Sequence, residues 1–288
     1  MKLAHICAGA DPDSTQNDDR IVVFTSTNRT DIIVIDGATS VAHRNYIDDN
    51  QGDVAWFVHA FTDAVEKALT PERSQEDCVW LAIAAVRAQF RHAAADRDIP
   101  LHAWPIAAMT WLRLSEQEGA VQAALYSLGD CKTLLHTISA GCIDLDPFVN
   151  PQEAVLKDAI AALTNDGVDD PACRRERMLP MLRARREFQN TTPAPGVLCL
   201  EPRGPFQART RNTTLAHDAS LLVMTDGFYR LVDTYSIYTD TTLMEACLDR
   251  GLAAQLDELR KFESTGVSTG AASVKPADDA SAVLWTAA

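Results

Sequence analysis

Residues 31–40 read DIIVIDGATS, and this stretch decides how the chain folds. Ile32, Ile33, Val34 and Ile35 form an unbroken β-branched run, the pattern of a buried strand. The run stops at Asp36-Gly37, a pair that turns the backbone and leaves a carboxylate at the strand's end. A carboxylate hydrated on one side and held on the other suits a hard divalent cation, which takes oxygen ligands. An Asp-Gly pair also makes a plain turn, so it decides nothing about function alone. Its weight comes from recurrence. LLVMTDG ends a second apolar run at Asp226-Gly227, and the acidic doublets Asp18-Asp19 and Asp278-Asp279 each lead into another such run.

Composition narrows the classes. The chain has 288 residues, enough to bury a sizeable core, with 47% hydrophobic and 23% charged residues, as in ordinary globular proteins. A net charge of −14 repels phosphate backbones and anionic lipid, so neither nucleic acid nor a membrane surface is an expected partner. The seven cysteines include no CxxC pair, which argues against a zinc ribbon or a thioredoxin-type motif, and most have apolar neighbours. The N-terminal stretch turns polar too early for a secretory signal, and no apolar run is long enough for a membrane span. The expected compartment is the cytoplasm.

Along the chain, residues 1–40 read as a strand, a polar loop and two strands joined by a hairpin through Asn28-Arg29. Apolar residues at spacings of three and four predict helices over 53–69 and 74–95, the second capped by Ser74. From Trp104 to Ile143 the pattern is an antiparallel meander, with turns at Glu118-Gly119 and Asp130-Cys131. Residues 144–216 are rich in Pro, Arg and Asp and have too few apolar residues for a core of their own. They read as an excursion from one domain spanning 1–288, with helices over 151–163 and 170–189, the latter kinked or divided at Pro180. Helices at 241–249 and 252–262, a loop over 266–279 and a final strand complete the chain.

The four acidic points Asp18-Asp19, Asp36, Asp226 and Asp278-Asp279 each sit at a strand end. Strands paired in a sandwich can bring them to one edge, where like charges need compensation. Two Mg²⁺ or Mn²⁺ ions would supply it and would serve hydrolysis by a metal-activated water.

The order of motifs resembles that of the metal-dependent protein phosphatases of type 2C, the PPM family. Asn17-Asp18-Asp19, Asp36-Gly37-Ala38-Thr39, Ala108-Met109-Thr110, Gly129-Asp130-Cys131-Lys132, Thr225-Asp226-Gly227 and Asp278-Asp279-Ala280-Ser281 stand in the family's order and cover most of the chain. The resemblance implies an α+β fold, an αββα sandwich of two antiparallel sheets flanked by helix pairs. It implies that Asp36 bridges two metal ions and that the Gly37 carbonyl binds one of them. Asp226 and Asp278 would hold one ion, Asp18 and Asp19 would support the other, and Asp130 would help a weaker third. The excursion at 144–216 occupies the place of the family's flap beside the active site.

Departures fall on the substrate groups. The family's phosphate-binding Arg is Ser14 here, which removes a charged contact worth about 1.5–3 kcal/mol. The DGHGG motif is DGATS, so its His is Ala38; Glu of NED is Asp18; the arginine of GDSR is Lys132. His43 is a candidate general acid in place of the missing His, against a plain surface role. Arg20 is a candidate phosphate contact, against pairing with nearby carboxylates. The arginines at 174–186 read either as a phosphoprotein contact or as a solvated face with salt bridges to Glu176 and Glu187. Thr225 and Ser281 are candidates to hydrogen-bond the metal-binding carboxylates. Trp56, Trp80, Trp104, Trp111 and Trp285 read as core.

These readings lead to a Mg²⁺- or Mn²⁺-dependent serine/threonine phosphoprotein phosphatase using metal-activated water, with a phosphorylated protein or a kinase as partner. Two alternatives stay open: a phosphatase-like regulatory protein with little turnover, and a phosphatase of a small phosphorylated metabolite. A DxD-type phosphotransferase is disfavoured because residue 38 is Ala.

Overall fold

A computed structural model of the chain describes residues 1–11, 16–117, 119–168, 170–265 and 277–287. Ser14, the Glu118 half of one expected turn and most of the expected loop after residue 265 lie outside them. Ile32, Ile33, Val34 and Ile35 are each 0% exposed, because their strand has a packed layer on both sides. Ile33 and Ile35 face a helix pair, while Ile32 and Val34 face a second sheet. That is why the run does not alternate with polar residues.

One sheet has strands β2 (Arg20–Ser26), β3 (Arg29–Gly37), β4 (Ile106–Gln117), β5 (Ala120–Leu128) and β9 (Arg209–Leu215) in that order, with the short β8 (Leu198–Cys199) on β4. The other is ordered β1 (Lys2–Ala8), β11 (Ala280–Thr286), β10 (Ser220–Met224), β6 (Lys132–Thr137) and β7 (Gly141–Asp144). The pairings described are all antiparallel. Helices α1 (Asp53–Ala68) and α2 (Gln75–Ala94) cover the first sheet. Helices α5 (Asp226–Asp233), α6 (Asp240–Arg250) and α7 (Leu252–Thr265) cover the second. The middle core, with Leu112, Leu125, Leu221, Val223 and Trp285, lies between the sheets. The architecture is the αββα sandwich the sequence implies. Trp111 and Trp285 are buried, and Trp56, Trp80 and Trp104 pack partly buried against the core.

Beneath α1 and α2, Asp31 is a buried polar centre. Its carboxylate meets Arg29 Nε at 2.9 Å and Arg113 Nε at 2.6 Å, and accepts a hydrogen bond from the Trp111 indole at 2.7 Å. It is 1% exposed, so these partners replace the water it loses on burial.

Several local expectations need correction. The hairpin between β2 and β3 turns at Thr27-Asn28, one residue earlier than read, since Ser26 pairs with Arg29. Residues 106–144 are two hairpins in different sheets rather than one meander. Gly129-Asp130-Cys131 is the crossing, with Gly129 at φ +81 and only 2.3 Å between Ala108 Cβ and any added Cβ. A left-handed glycine lets the chain leave one sheet for the other at that point. Helices α3 (Pro151–Asn165) and α4 (Pro171–Thr191) follow, and α4 runs on through Pro180 undivided. Pro180 and Glu176, whose carbonyl loses its helical donor, are both exposed, so water can replace the lost bond. The chain rejoins the first sheet at β8 and β9, inside the stretch read as excursion. Among the described residues no helix is long and apolar enough to cross a membrane.

Candidate metal and phosphoester site

The strand ends meet where the two sheets adjoin: Asp18 N–H donates to the Asp279 carboxylate and the Thr225 hydroxyl to that of Asp19, while backbone bonds pin each end within its own sheet. Gly37 N–H donates to the Asp18 carbonyl at 3.1 Å, and Thr225 N–H donates to the Ser281 carbonyl at 3.0 Å. A Cβ on Gly37 would lie 2.5 Å from both the Asp18 carbonyl oxygen and Val54 Cγ1, and one on Gly227 would lie 1.8 Å from the Asp279 carbonyl oxygen. Each Asp-Gly pair is therefore a close backbone crossing as well as a turn. The glycine lets a second acidic segment pass beside the carboxylate.

Asp36, Gly37, Asp130, Asp226 and Asp278 line one cavity of about 790 Å³. The aspartates come from β3, the β5–β6 crossing, the start of α5 and the entry to β11. Asp36 and Asp226 are hydrogen-bonded to each other. Burial, then the charges of Asp226 and Asp19, hold the Asp36 carboxyl well above the usual carboxylate range. Asp19, 4% exposed, is pushed well above that range by burial and then by Asp279. Ser281 and the Thr225 hydroxyl, the latter at 2.9 Å, donate to it and partly offset the rise. Raised carboxyl pKa values stabilise the folded chain in acid, below the ordinary carboxylate pKa. That contribution is lost as pH rises through the raised values, so without cations these two carboxyls oppose folding once they ionise.

The two acidic doublets divide their work. Asp279 accepts the Ala10 and Asp18 amides, each at 2.7 Å, so it fastens backbone while Asp278 faces the cavity. Asp19 is fastened by Thr225 and Ser281, the hydroxyls read as its supports, and Asp18 lies close enough to Arg186 to favour that residue's charge. Asp130 accepts from Asn150 Nδ2 at 2.8 Å. Lys132 donates to Asp144 at 3.2 Å and to the Phe148 carbonyl at 3.3 Å.

His43 is exposed, sits 3.0 Å from Arg183 Nη2 and is not among the cavity-lining residues. A general acid must reach the leaving group, and this placement gives it no such reach. Arg20, on β2, lies 3.3 Å from His59 of α1, also outside the cavity.

Three of the arginines of α4 bond main-chain carbonyls rather than face solvent. Arg175 donates to the Ser40 carbonyl at 3.1 Å, Arg183 to Val41 at 2.9 Å, and Arg186 to Thr39 at 3.1 Å and Ala38 at 3.3 Å. Glu187 meets His102 instead of a neighbouring arginine. The helix thus lays a guanidinium face on the loop that follows Asp36-Gly37. Arg186 is 6% exposed, and burial lowers its pKa to about 10, which leaves it charged at neutral pH. Arg175, Arg185 and Arg186 all line the cavity. Sequence reading missed this contact because the face of α4 that docks is polar, and apolar periodicity cannot register it.

No family model and no curated protein matches the chain. Solved structures do. A serine/threonine phosphatase from S. agalactiae superposes with TM-score 0.56 at 11% identity, covering 99% of each chain. Stp1 from Staphylococcus aureus gives 0.51 at 13% identity over 99% of this chain and 94% of its own. The catalytic domain of the phosphatase PstP, solved with two manganese ions, gives 0.51 at 13% identity over 98% and 96%. The chain has the fold of the type 2C serine/threonine phosphatases.

As it stands, no group of three or more His, Cys, Asp or Glu among the described residues is gathered closely enough to hold an ion. The chemistry of the donors nonetheless suits a hard divalent cation. They are all oxygen, and Asp36 and Asp226 share a hydrogen bond that requires a proton where a cation's charge would serve.

Proposed function

We propose that the chain is a Mg²⁺- or Mn²⁺-dependent phosphomonoester hydrolase of the serine/threonine phosphatase type. The observation that carries this reading is the meeting of Asp36, Asp130, Asp226 and Asp278, distant in sequence, in one cavity of the αββα sandwich. Asp36, the Gly37 carbonyl, Asp226 and Asp278 would hold the cations, with Asp18 and Asp19 supporting them and Asp130 serving a weaker third. Bound there, such ions lower the pKa of water and neutralise the phosphoryl charge. The chain's own residues do the rest. Thr225 and Ser281 orient Asp19, Asp279 fixes the backbone that carries Asp18, and α4 closes over the 38–41 loop.

The flap role falls to α3 and α4, which stand beside the cavity between β7 and β8. A phosphorylated protein is the substrate this fold suggests, and the cytoplasm is the compartment. The 790 Å³ cavity is also of a size that takes small ligands, which keeps a phosphorylated metabolite as the second reading.

Purified protein is expected to hydrolyse p-nitrophenyl phosphate and a phosphothreonine peptide with Mn²⁺, and to lose turnover in EDTA. Asp36→Asn should lower kcat at least a hundredfold. Turnover of the small ester alone would favour the metabolite. Activity that survives both EDTA and Asp36→Asn would contradict the proposal.

A further inference from the structure

The cavity that holds the carboxylates also holds an arginine with no protein acceptor among the described residues. Arg175 and Arg186 donate to loop carbonyls, and Arg230 pairs with Glu263 at 3.1 Å. Arg185 lines the same cavity, yet among the described residues it makes no hydrogen bond or ion pair, and its buried Nε has no partner. Folding normally finds acceptors for buried N–H groups, so a group left without one points to a ligand. Asp130 is near enough to favour its charge without pairing with it.

We propose that Arg185 is the phosphoryl-binding residue of this cavity, a guanidinium supplied by α4 where the N-terminal segment offers Ser14. The inference rests on the phosphomonoester reading and adds the residue that recognises the ester. A planar guanidinium matches two oxygens of a phosphoryl group with parallel hydrogen bonds. Its three α4 neighbours, fastened to residues 38–41, hold the helix in place beneath it. The wall around it includes Leu182, Phe188 and Val197, so the cavity pairs an anion anchor with an apolar surface for the rest of the substrate.

The test is a calorimetric titration of phenylphosphonate, a phosphomonoester analogue that is not hydrolysed, into the full chain with Mg²⁺. Arg185→Ala is expected to weaken binding at least tenfold, with Arg185→Lys recovering part of the loss. Arg87→Ala, on α2 and outside this cavity, should bind as the natural chain does. In p-nitrophenyl phosphate turnover, Arg185→Ala should raise KM far more than it lowers kcat. Circular dichroism establishes that each variant is folded. Equal binding by the natural chain and Arg185→Ala overturns the proposal, as does failure of the natural chain to bind. Arg185-dependent binding without turnover would leave the anchor standing and remove the hydrolase reading. Turnover with the same KM in Arg185→Ala would do the reverse.

Discussion

Gly227→Ala should yield little folded protein. The added methyl would lie 1.8 Å from the Asp279 carbonyl oxygen, about half an ordinary van der Waals separation, and 3.4 Å from Asp278 Cβ. The obstacle is backbone, so no side-chain rotation relieves it. Either the start of α5 or the entry to β11 must move. Both are tied to neighbours: Thr225 N–H to the Ser281 carbonyl at 3.0 Å, and the Asp279 carboxylate to Ala10 and Asp18. Overpacking commonly costs about 1–3 kcal/mol, and a clash with fixed backbone belongs above that range. Soluble yield and a thermal melt check it. A variant that melts within 2 °C of the natural chain, about 1 kcal/mol for a chain of this size, would show that this crossing is looser than described.

Asp31→Ala is expected to have the second largest effect, and it acts far from the cavity. It strips Arg29, Arg113 and the Trp111 indole of one shared acceptor. Breaking a buried ion pair from one side costs about 3–5 kcal/mol, because the partner charge stays buried and unpaired. Such a loss is a large share of the 5–15 kcal/mol that typically separates folded from unfolded protein. Arg113 Nη2 already lacks a partner, so little slack exists to absorb the change. Asp31→Asn keeps an acceptor for Trp111 and should lose less. Urea unfolding measures both. A shift below about 1 kcal/mol for Asp31→Ala would mean that water or rearrangement replaces the carboxylate.

How far the sequence carries can be seen by comparing β3 with α4. In β3 the code is local: four β-branched residues announce burial on both faces, and Asp36-Gly37 announces the exit. The same logic located Asp226, Asp278 and the Ser74 cap of α2, whose side chain accepts from Asp77 N–H at 3.0 Å. Helix α4 was visible as a helix, with Asp170 capping Cys173 N–H at 2.8 Å and Pro171 in the first turn. Its docking was not visible. Arg175, Arg183 and Arg186 bond main-chain carbonyls well over a hundred residues away, and carbonyls carry no residue-type signal. The change of sheet at Gly129, where the sequence offers only a turn at Asp130-Cys131, is hidden for a related reason. A turn residue marks a change of direction, but whether the next strand stays in its sheet depends on space beside Ala108. Asp278 and Asp279 are alike as letters, and only the amides of Ala10 and Asp18 separate their roles.

Cation binding by the cavity carboxylates should show in the melting temperature of the chain. Thermal melts of the natural chain and Asp36→Asn at pH 7.5, each with and without Mn²⁺, test it most directly. Cation-free, Asp36→Asn should melt higher, because it removes a carboxylate whose ionisation burial and Asp226 oppose. Mn²⁺ should raise the melting temperature of the natural chain and leave that of Asp36→Asn nearly unchanged. Equal stabilisation of both by Mn²⁺, or of neither, would contradict the account.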